Sequence, residues 1–195
     1  MKYFLDLGSG LGGASEAFVQ DENWFVLRID NNPLLSDVPR TEIMSYFDSD
    51  FKTNGFKWNV IWGSPDCREF SNAYSAPSPI AKREGREFFP DLSQVIRMKA
   101  IIDARQPEWW IIENVIGAIP HLTPILGAPI AIHGPFVLWG NIPPLHLHGF
   151  EHSKFAKDPH SSNPLRSNFR AKVPLELSEA LLASITEQTT LKDWI

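Results

Sequence analysis

Residues 2 to 30 constrain this chain more than any other stretch. Lys2-Tyr3-Phe4-Leu5-Asp6 reads as a short apolar strand. It runs into Leu7-Gly8-Ser9-Gly10-Leu11-Gly12-Gly13, after which Ala14 to Val19 reads as a helix. Four glycines within six positions let the backbone turn tightly and approach a ligand where side chains would intrude. The helix start behind them carries amides with no intrahelical partner. Trp24 to Asp30 is the next strand and ends in an acid 22 positions after Gly8. Strand, glycine turn, helix, strand and terminal acid describe a nucleoside-binding βαβ unit, with Asp30 set to accept hydrogen bonds from ribose hydroxyls.

A second stretch bears on chemistry. Val60-Ile61-Trp62 reads as a buried strand that Gly63-Ser64-Pro65 terminates, and Cys67, the only cysteine in the chain, follows directly. In open α/β sheets, ligands bind beyond the carboxyl ends of the strands, where this thiol falls. A lone cysteine is more often a small buried hydrophobe, so the thiol acquires meaning only with its surroundings. Asp91 to Arg105 reads as a helix with a stripe of Leu92, Val95, Ile96 and Ile102 joined by the stems of Lys99 and Arg105, closed by Pro107. That helix is the crossover to an apolar strand, Trp109-Trp110-Ile111-Ile112-Glu113-Asn114-Val115, and places both strands in one parallel sheet. Pro135 to Asn141 reads as a late strand and Glu176 to Glu187 as a final helix. Ser75 to Pro90, with Pro77, Pro79 and Gly85 and no period, reads as a loop.

At 195 residues, 43% hydrophobic and 21% charged, the expectation is one globular domain spanning 1–195. One cysteine excludes an internal disulfide framework and points to a reducing compartment. An acid at position 6 and the lack of any apolar run near ~20 residues point to a cytoplasmic chain with no membrane partner. A net charge of −5 argues against strong general affinity for nucleic acid. Bases nevertheless cluster at Lys82, Arg83 and Arg86, and again at Lys154, Lys157, Arg166, Arg170 and Lys172.

The order Asp-Leu-Gly-Ser-Gly-Leu-Gly-Gly at positions 6–13 has no Gly-Lys-Ser/Thr and so argues against a P-loop. It resembles the first motif of S-adenosylmethionine-dependent methyltransferases. More narrowly it looks like the Asp-Leu-Phe-x-Gly-x-Gly-Gly form of the DNA cytosine carbon-5 methyltransferases, with Gly8 at the family's phenylalanine. Gly63-Ser64-Pro65-Asp66-Cys67-Arg68-Glu69-Phe70-Ser71 resembles that family's Gly-Gly-Pro-Pro-Cys-Gln-x-Phe-Ser loop, and Glu113-Asn114-Val115 its Glu-Asn-Val strand end. Arg40-Thr41-Glu42-Ile43 falls at the family's adenine-side acid, and Ala171 to Leu177 resembles its closing cofactor-side motif. The resemblance implies a Rossmann-like S-adenosylmethionine-dependent methyltransferase fold, a mostly parallel central sheet flanked by helices. It implies S-adenosylmethionine held by Asp6, Gly8, Ser9, Gly10, Gly12, Gly13, Asp30, Asn31, Glu42 and Pro65.

The implied reaction needs a nucleophile, because cytosine carbon 5 is unreactive until a thiolate adds to carbon 6. Cys67 fills that role and Glu113 meets ring nitrogen 3 and the exocyclic amine. Arg68, Ser71, Asn114, His133, Arg166 and Arg170 are the candidate substrate contacts, and DNA, duplex or single-stranded, is the implied partner. A base in a duplex has to be flipped out first. Three features depart from the family: Asp66 stands at its proline, no Lys or Arg occurs from Ile116 to Ser153, and residues 144–172 form a much reduced recognition region. Free cytidine nucleotides or RNA as substrate therefore stay open. So do a protein partner that supplies sequence recognition and a non-catalytic binding module. His146, His148, His152 and His160 invite a zinc reading, but without cysteines they read as polar loop residues, and no metal is expected.

Overall fold

The computed structural model describes residues 1–48, 55–147 and 162–192. Its centre is a seven-stranded sheet in the order β3-β2-β1-β4-β5-β7-β6. The strands are β1 (Lys2–Leu7), β2 (Trp24–Asp30), β3 (Thr41–Ile43), β4 (Val60–Gly63), β5 (Trp109–Val115), β6 (Ala131–His133) and β7 (Phe136–Gly140). The first five run parallel, whereas β7 is antiparallel to both β5 and β6. This is the Rossmann-like α/β architecture expected from the sequence.

Alternate residues of each central strand enter different cores, as the two-residue period of a strand requires. Leu5, Ile61, Ile112 and Val137 face a cluster with Val95, Met98, Ile101 and Ile102 of the helix α3 (Ser93–Arg105) and Leu122 of α4 (Ile119–Leu126). Phe4, Val60, Trp62, Ile111 and Leu138 face the other, with Phe18 of α1 (Glu16–Gln20) and Leu177, Leu181 and Ile185 of α6 (Leu175–Lys192). Helices thus cover both faces of the sheet.

Several local expectations shift. The α3 stripe passes through Met98 and Ile101 rather than Ile96, which is 55% exposed, so the buried face is turned from the one anticipated. The stretch expected to be a loop contains α2 (Pro77–Arg83). Pro77 and Pro79 lie in its first turn, where an amide has no intrahelical partner to lose, and Ala81 is buried. The last helix α6 extends beyond its expected end to Lys192. A short helix, α5 (Arg166–Ala171), precedes it. Among the described residues no helix is long and apolar enough to cross a membrane.

Strand order reverses between β1 and β4: the chain builds outward to β2 and β3 on one side, then to β5 on the other. The turns that leave β1 and β4 therefore diverge and open a crevice at their carboxyl ends. The glycine turn follows β1 and the Cys67 turn follows β4, so topology alone brings them together.

Candidate active site

That crevice holds a cavity of about 480 Å³. Gly8, Ser9, Gly10 and Gly13 form one wall, Asp30 and Asn31 a second, and Pro65, Cys67 and Arg68 a third, with Glu113 reaching in from β5. Cys67 is partly exposed, while Glu113 is 9% exposed.

The glycine turn has two independent reasons for its composition. Gly8, Gly10 and Gly12 have φ of 68°, 53° and 72°, a region that side-chain-bearing residues rarely occupy. A Cβ on Gly8 would lie 2.6 Å from the Ser64 carbonyl and 3.3 Å from Met98 Cε. A phenylalanine ring at this position would have no room, because the β4 turn and Met98 already fill the place. Asp30 ties the turn down: Oδ2 accepts from the Gly10 amide at 2.9 Å and Oδ1 from the Asn32 amide at 2.9 Å. A carboxylate oxygen accepts more than one bond, so both retain capacity for a ligand hydroxyl.

Behind the turn lies a buried polar chain that the sequence did not reveal. Ser15 Oγ donates to Asp6 Oδ2 at 2.6 Å and accepts from Arg28 Nε at 2.9 Å. The Arg28 guanidinium continues to the carbonyls of Gly12, at 2.7 Å, and Pro39, at 2.9 Å. Burial raises the Asp6 carboxyl from 3.8 to about 6, opposed by the Ser15 bond and the Arg28 charge. Burial also lowers the Arg28 pKa. Asp6 and Gly12, expected as cofactor contacts, lie outside the cavity lining and support it from below.

The thiol wall is a 3-10 turn over Cys67–Phe70 whose preceding residue, Asp66, caps it. Asp66 Oδ1 accepts from the Arg68 amide at 2.9 Å, and Oδ2 pairs with the Arg68 guanidinium, including Nε at 2.7 Å. The Asp66 carboxylate is thus partnered by its own turn, and it raises the Arg68 pKa further. Asn114 lies outside the lining: it is 1% exposed and donates to the Pro65 carbonyl at 3.0 Å, which tethers the turn. Ser64 Oγ accepts from Trp62 Nε1 at 2.8 Å and donates to Glu113 Oε2 at 3.2 Å, which fixes the carboxyl group.

Other expected contacts lie elsewhere. Glu42 is exposed on the edge strand β3, and the cavity is met instead by the loop after it, at Ser45, Tyr46 and Phe47. Ser71 ends the 3-10 turn and accepts from the Ala73 amide with its hydroxyl, outside the lining. His133 is on β6, also outside the lining, with Nε2 buried and without a hydrogen-bond partner among the described residues, and its pKa lowered by burial. Arg166 and Arg170, four positions apart, share a face of α5 that the lining excludes; Ser167, Asn168 and Ala171 of that helix line the cavity. His146 is exposed; His148, His152, His160, Lys154 and Lys157, with the rest of residues 148–161 in the reduced recognition region, lie outside the described residues. Tyr46 and Phe47 were missed because only their position just past a strand end marks them.

No protein-family model and no curated protein sequence matches the chain. Among solved structures it is similar to a protein described as a candidate DNA modification methyltransferase encoded within an E. coli prophage, with 15% identity and a TM-score of 0.46 over 72% of this chain and 46% of that one. It is also similar to the METTL16 methyltransferase domain, with 10% identity and a TM-score of 0.44 over 72% of both chains. A third is the N-terminal domain of human METTL16 in complex with SAH, with 12% identity and a TM-score of 0.36 over 72% of this chain and 60% of that one. The chain therefore spans less than half the length of the first of these.

Proposed function

We propose that this chain is an S-adenosylmethionine-dependent methyltransferase that modifies carbon 5 of cytosine in DNA. The observation that carries the reading is the convergence of Cys67, Glu113, the glycine turn and Asp30 on one cavity. The residues fit the cofactor. Gly8, Gly10 and Gly13 offer backbone without Cβ atoms, Asp30 offers acceptors for ribose, and Tyr46 and Phe47 offer rings for adenine. Ser9 Oγ, buried at the same turn, has no hydrogen-bond partner among the described residues. When bound, S-adenosylmethionine supplies an electrophilic methyl group.

The remaining chemistry falls to this chain. Cys67 as thiolate adds to carbon 6 of the pyrimidine, which makes carbon 5 nucleophilic. Glu113, held by Ser64, faces ring nitrogen 3 and the exocyclic amine, and fixes the base while charge develops. Once carbon 5 carries the methyl group, loss of its proton and departure of the Cys67 sulfur restore the aromatic ring.

The test is methyl transfer from labelled S-adenosylmethionine to duplex DNA, single-stranded DNA, RNA and deoxycytidine nucleotide, with 5-methylcytosine identified after digestion. The expected result is label in DNA that Cys67→Ala abolishes, and a stable covalent complex with DNA containing 5-fluorocytosine. Label confined to RNA or the free nucleotide overturns DNA as substrate. Full activity in Cys67→Ala overturns the mechanism.

A further inference from the structure

One side chain touches both the loop after β3 and the thiol turn of the cavity. Gln94 lies in the first turn of α3, which Val95, Met98, Ile101 and Ile102 anchor in the core. Its Oε1 accepts from the Tyr46 hydroxyl at 3.0 Å and from the Asp66 amide at 3.0 Å. The partners lie 48 and 28 positions away in sequence, one on the loop after β3 and the other beside the thiol. An amide oxygen has two lone pairs, and both are used. One helical turn later, Arg97 Nε donates to the Tyr46 carbonyl at 2.8 Å, so α3 holds that loop at two points. Burial raises the Tyr46 pKa, which keeps its hydroxyl a donor.

At the Asp66 end, the same residue whose amide Gln94 fixes caps the turn that begins at Cys67. Displacing that amide moves the cap, and the cap sets the start of the thiol turn. We infer that Gln94 is a positioning residue that couples the aromatic wall at Tyr46 to the placement of Cys67. A ligand packed against Tyr46 is then felt at the thiol without touching it. The effect on turnover rests on the methyltransferase reading, whereas the coupling itself can be read on the protein alone.

The experiment is residue-resolved amide hydrogen exchange on the full chain for wild type, Gln94→Leu, Gln94→Glu, Tyr46→Phe and the Gln94→Leu/Tyr46→Phe pair. Loss of one bond worth about 1.4 kcal/mol is a tenfold change, so Gln94→Leu speeds exchange of the Asp66 amide about tenfold. Tyr46→Phe, which removes a bond to Gln94 and none to the Asp66 amide, speeds it about threefold, on the order of half that bond's free energy. The double change is no faster than Gln94→Leu alone, because the coupling has one carrier. Gln94→Glu keeps both acceptor bonds and restores the wild-type rate. Unchanged exchange in β1 and α3 shows that the fold is intact in each variant.

A parallel series measures Cys67 alkylation against pH, with and without S-adenosylhomocysteine. The pH profile shifts in Tyr46→Phe in the wild-type background and not in the Gln94→Leu background. An Asp66 amide indifferent to Tyr46→Phe overturns the inference, as do fully additive effects. Neither outcome bears on methyl transfer, which the labelled-cofactor assay decides separately.

Discussion

On one side of the cavity, the Gly8–Gly13 turn rests on side chains that the core itself encloses. Asp6 is 1% exposed, Ser15 0% and Arg28 4%, and their bonds run unbroken from β1 to the Gly12 carbonyl. On the other side, the Cys67 turn rests on its own Asp66–Arg68 pair, with the Arg68 side chain 83% exposed, and on two tethers, Asn114 and Gln94. Buried polar groups are costly to leave unsatisfied, so the first wall is part of what makes the chain fold. Exposed pairs contribute little to stability, so the second wall is free to be tuned for reactivity. Substitutions on the glycine side should therefore appear as lost stability, and those on the thiol side as altered chemistry.

The sharpest way to break that contrast is Gly13→Ala. A Cβ there would lie 2.1 Å from the Val173 carbonyl and 2.9 Å from Lys172 Cγ, and the carbonyl belongs to backbone that cannot rotate away. The glycine turn and the chain entering α6 must part, and the expected loss is about 3 kcal/mol by urea denaturation. A Gly13→Ala variant as stable as wild type would mean that this wall is softer than its packing indicates.

Next in size is the pH response of Asp6. Its carboxyl titrates near 6 when folded against 3.8 as the unperturbed value, chiefly through burial, with Ser15 and Arg28 opposing and Asp30 adding to the rise. The folded state holds this proton more tightly than the unfolded state. The associated stabilisation is complete below pH 4 and is lost as pH rises through about 6. The shift of roughly two units corresponds to about 3 kcal/mol at most. Asp6→Asn should remove that slope. Unfolding free energies of both proteins from pH 4 to 7 then diverge in pH dependence, wild type falling relative to the variant.

The sequence disclosed the glycine turn because positive φ and close approach leave little choice but glycine, and disclosed the Cys67 and Glu113 strands because buried parallel strands carry near-continuous apolar runs. It concealed what depends on long-range geometry. Arg28 looks like a charge on an ordinary strand until Ser15 and the Gly12 carbonyl are brought to it across the βαβ unit. Gln94 has no local signature, since its partners come from two distant loops. Helix α5 is only six residues long, too short for its sequence to fix which side faces the cavity, so the sequence did not show that Ser167, Asn168 and Ala171 line it while Arg166 and Arg170 do not. Pro77 and Pro79 read as loop punctuation because their tolerance depends on lying in a first turn, which is known only once the helix is seen.

The smallest effect is the one that separates the two walls most cleanly. Arg68→Ala removes an exposed partner of Asp66, so unfolding free energy should change by less than about 0.5 kcal/mol. The Asp66 carboxylate then stands beside Cys67 without its compensating cation. At a separation of ~6 Å in a watery environment, an unneutralised carboxylate disfavours a thiolate by about 0.7 kcal/mol. That is a factor of about three, so alkylation of Cys67 at pH 7 should slow about threefold while the melting temperature stays within about a degree. Added salt should shrink the difference, because charges exposed to this degree are screened. Adding Asp66→Asn to Arg68→Ala removes the unneutralised charge and should return the alkylation rate to that of Asp66→Asn alone. A slowed rate that persists in this pair would mean that loss of the Arg68 side chain itself, rather than the charge, had displaced the thiol.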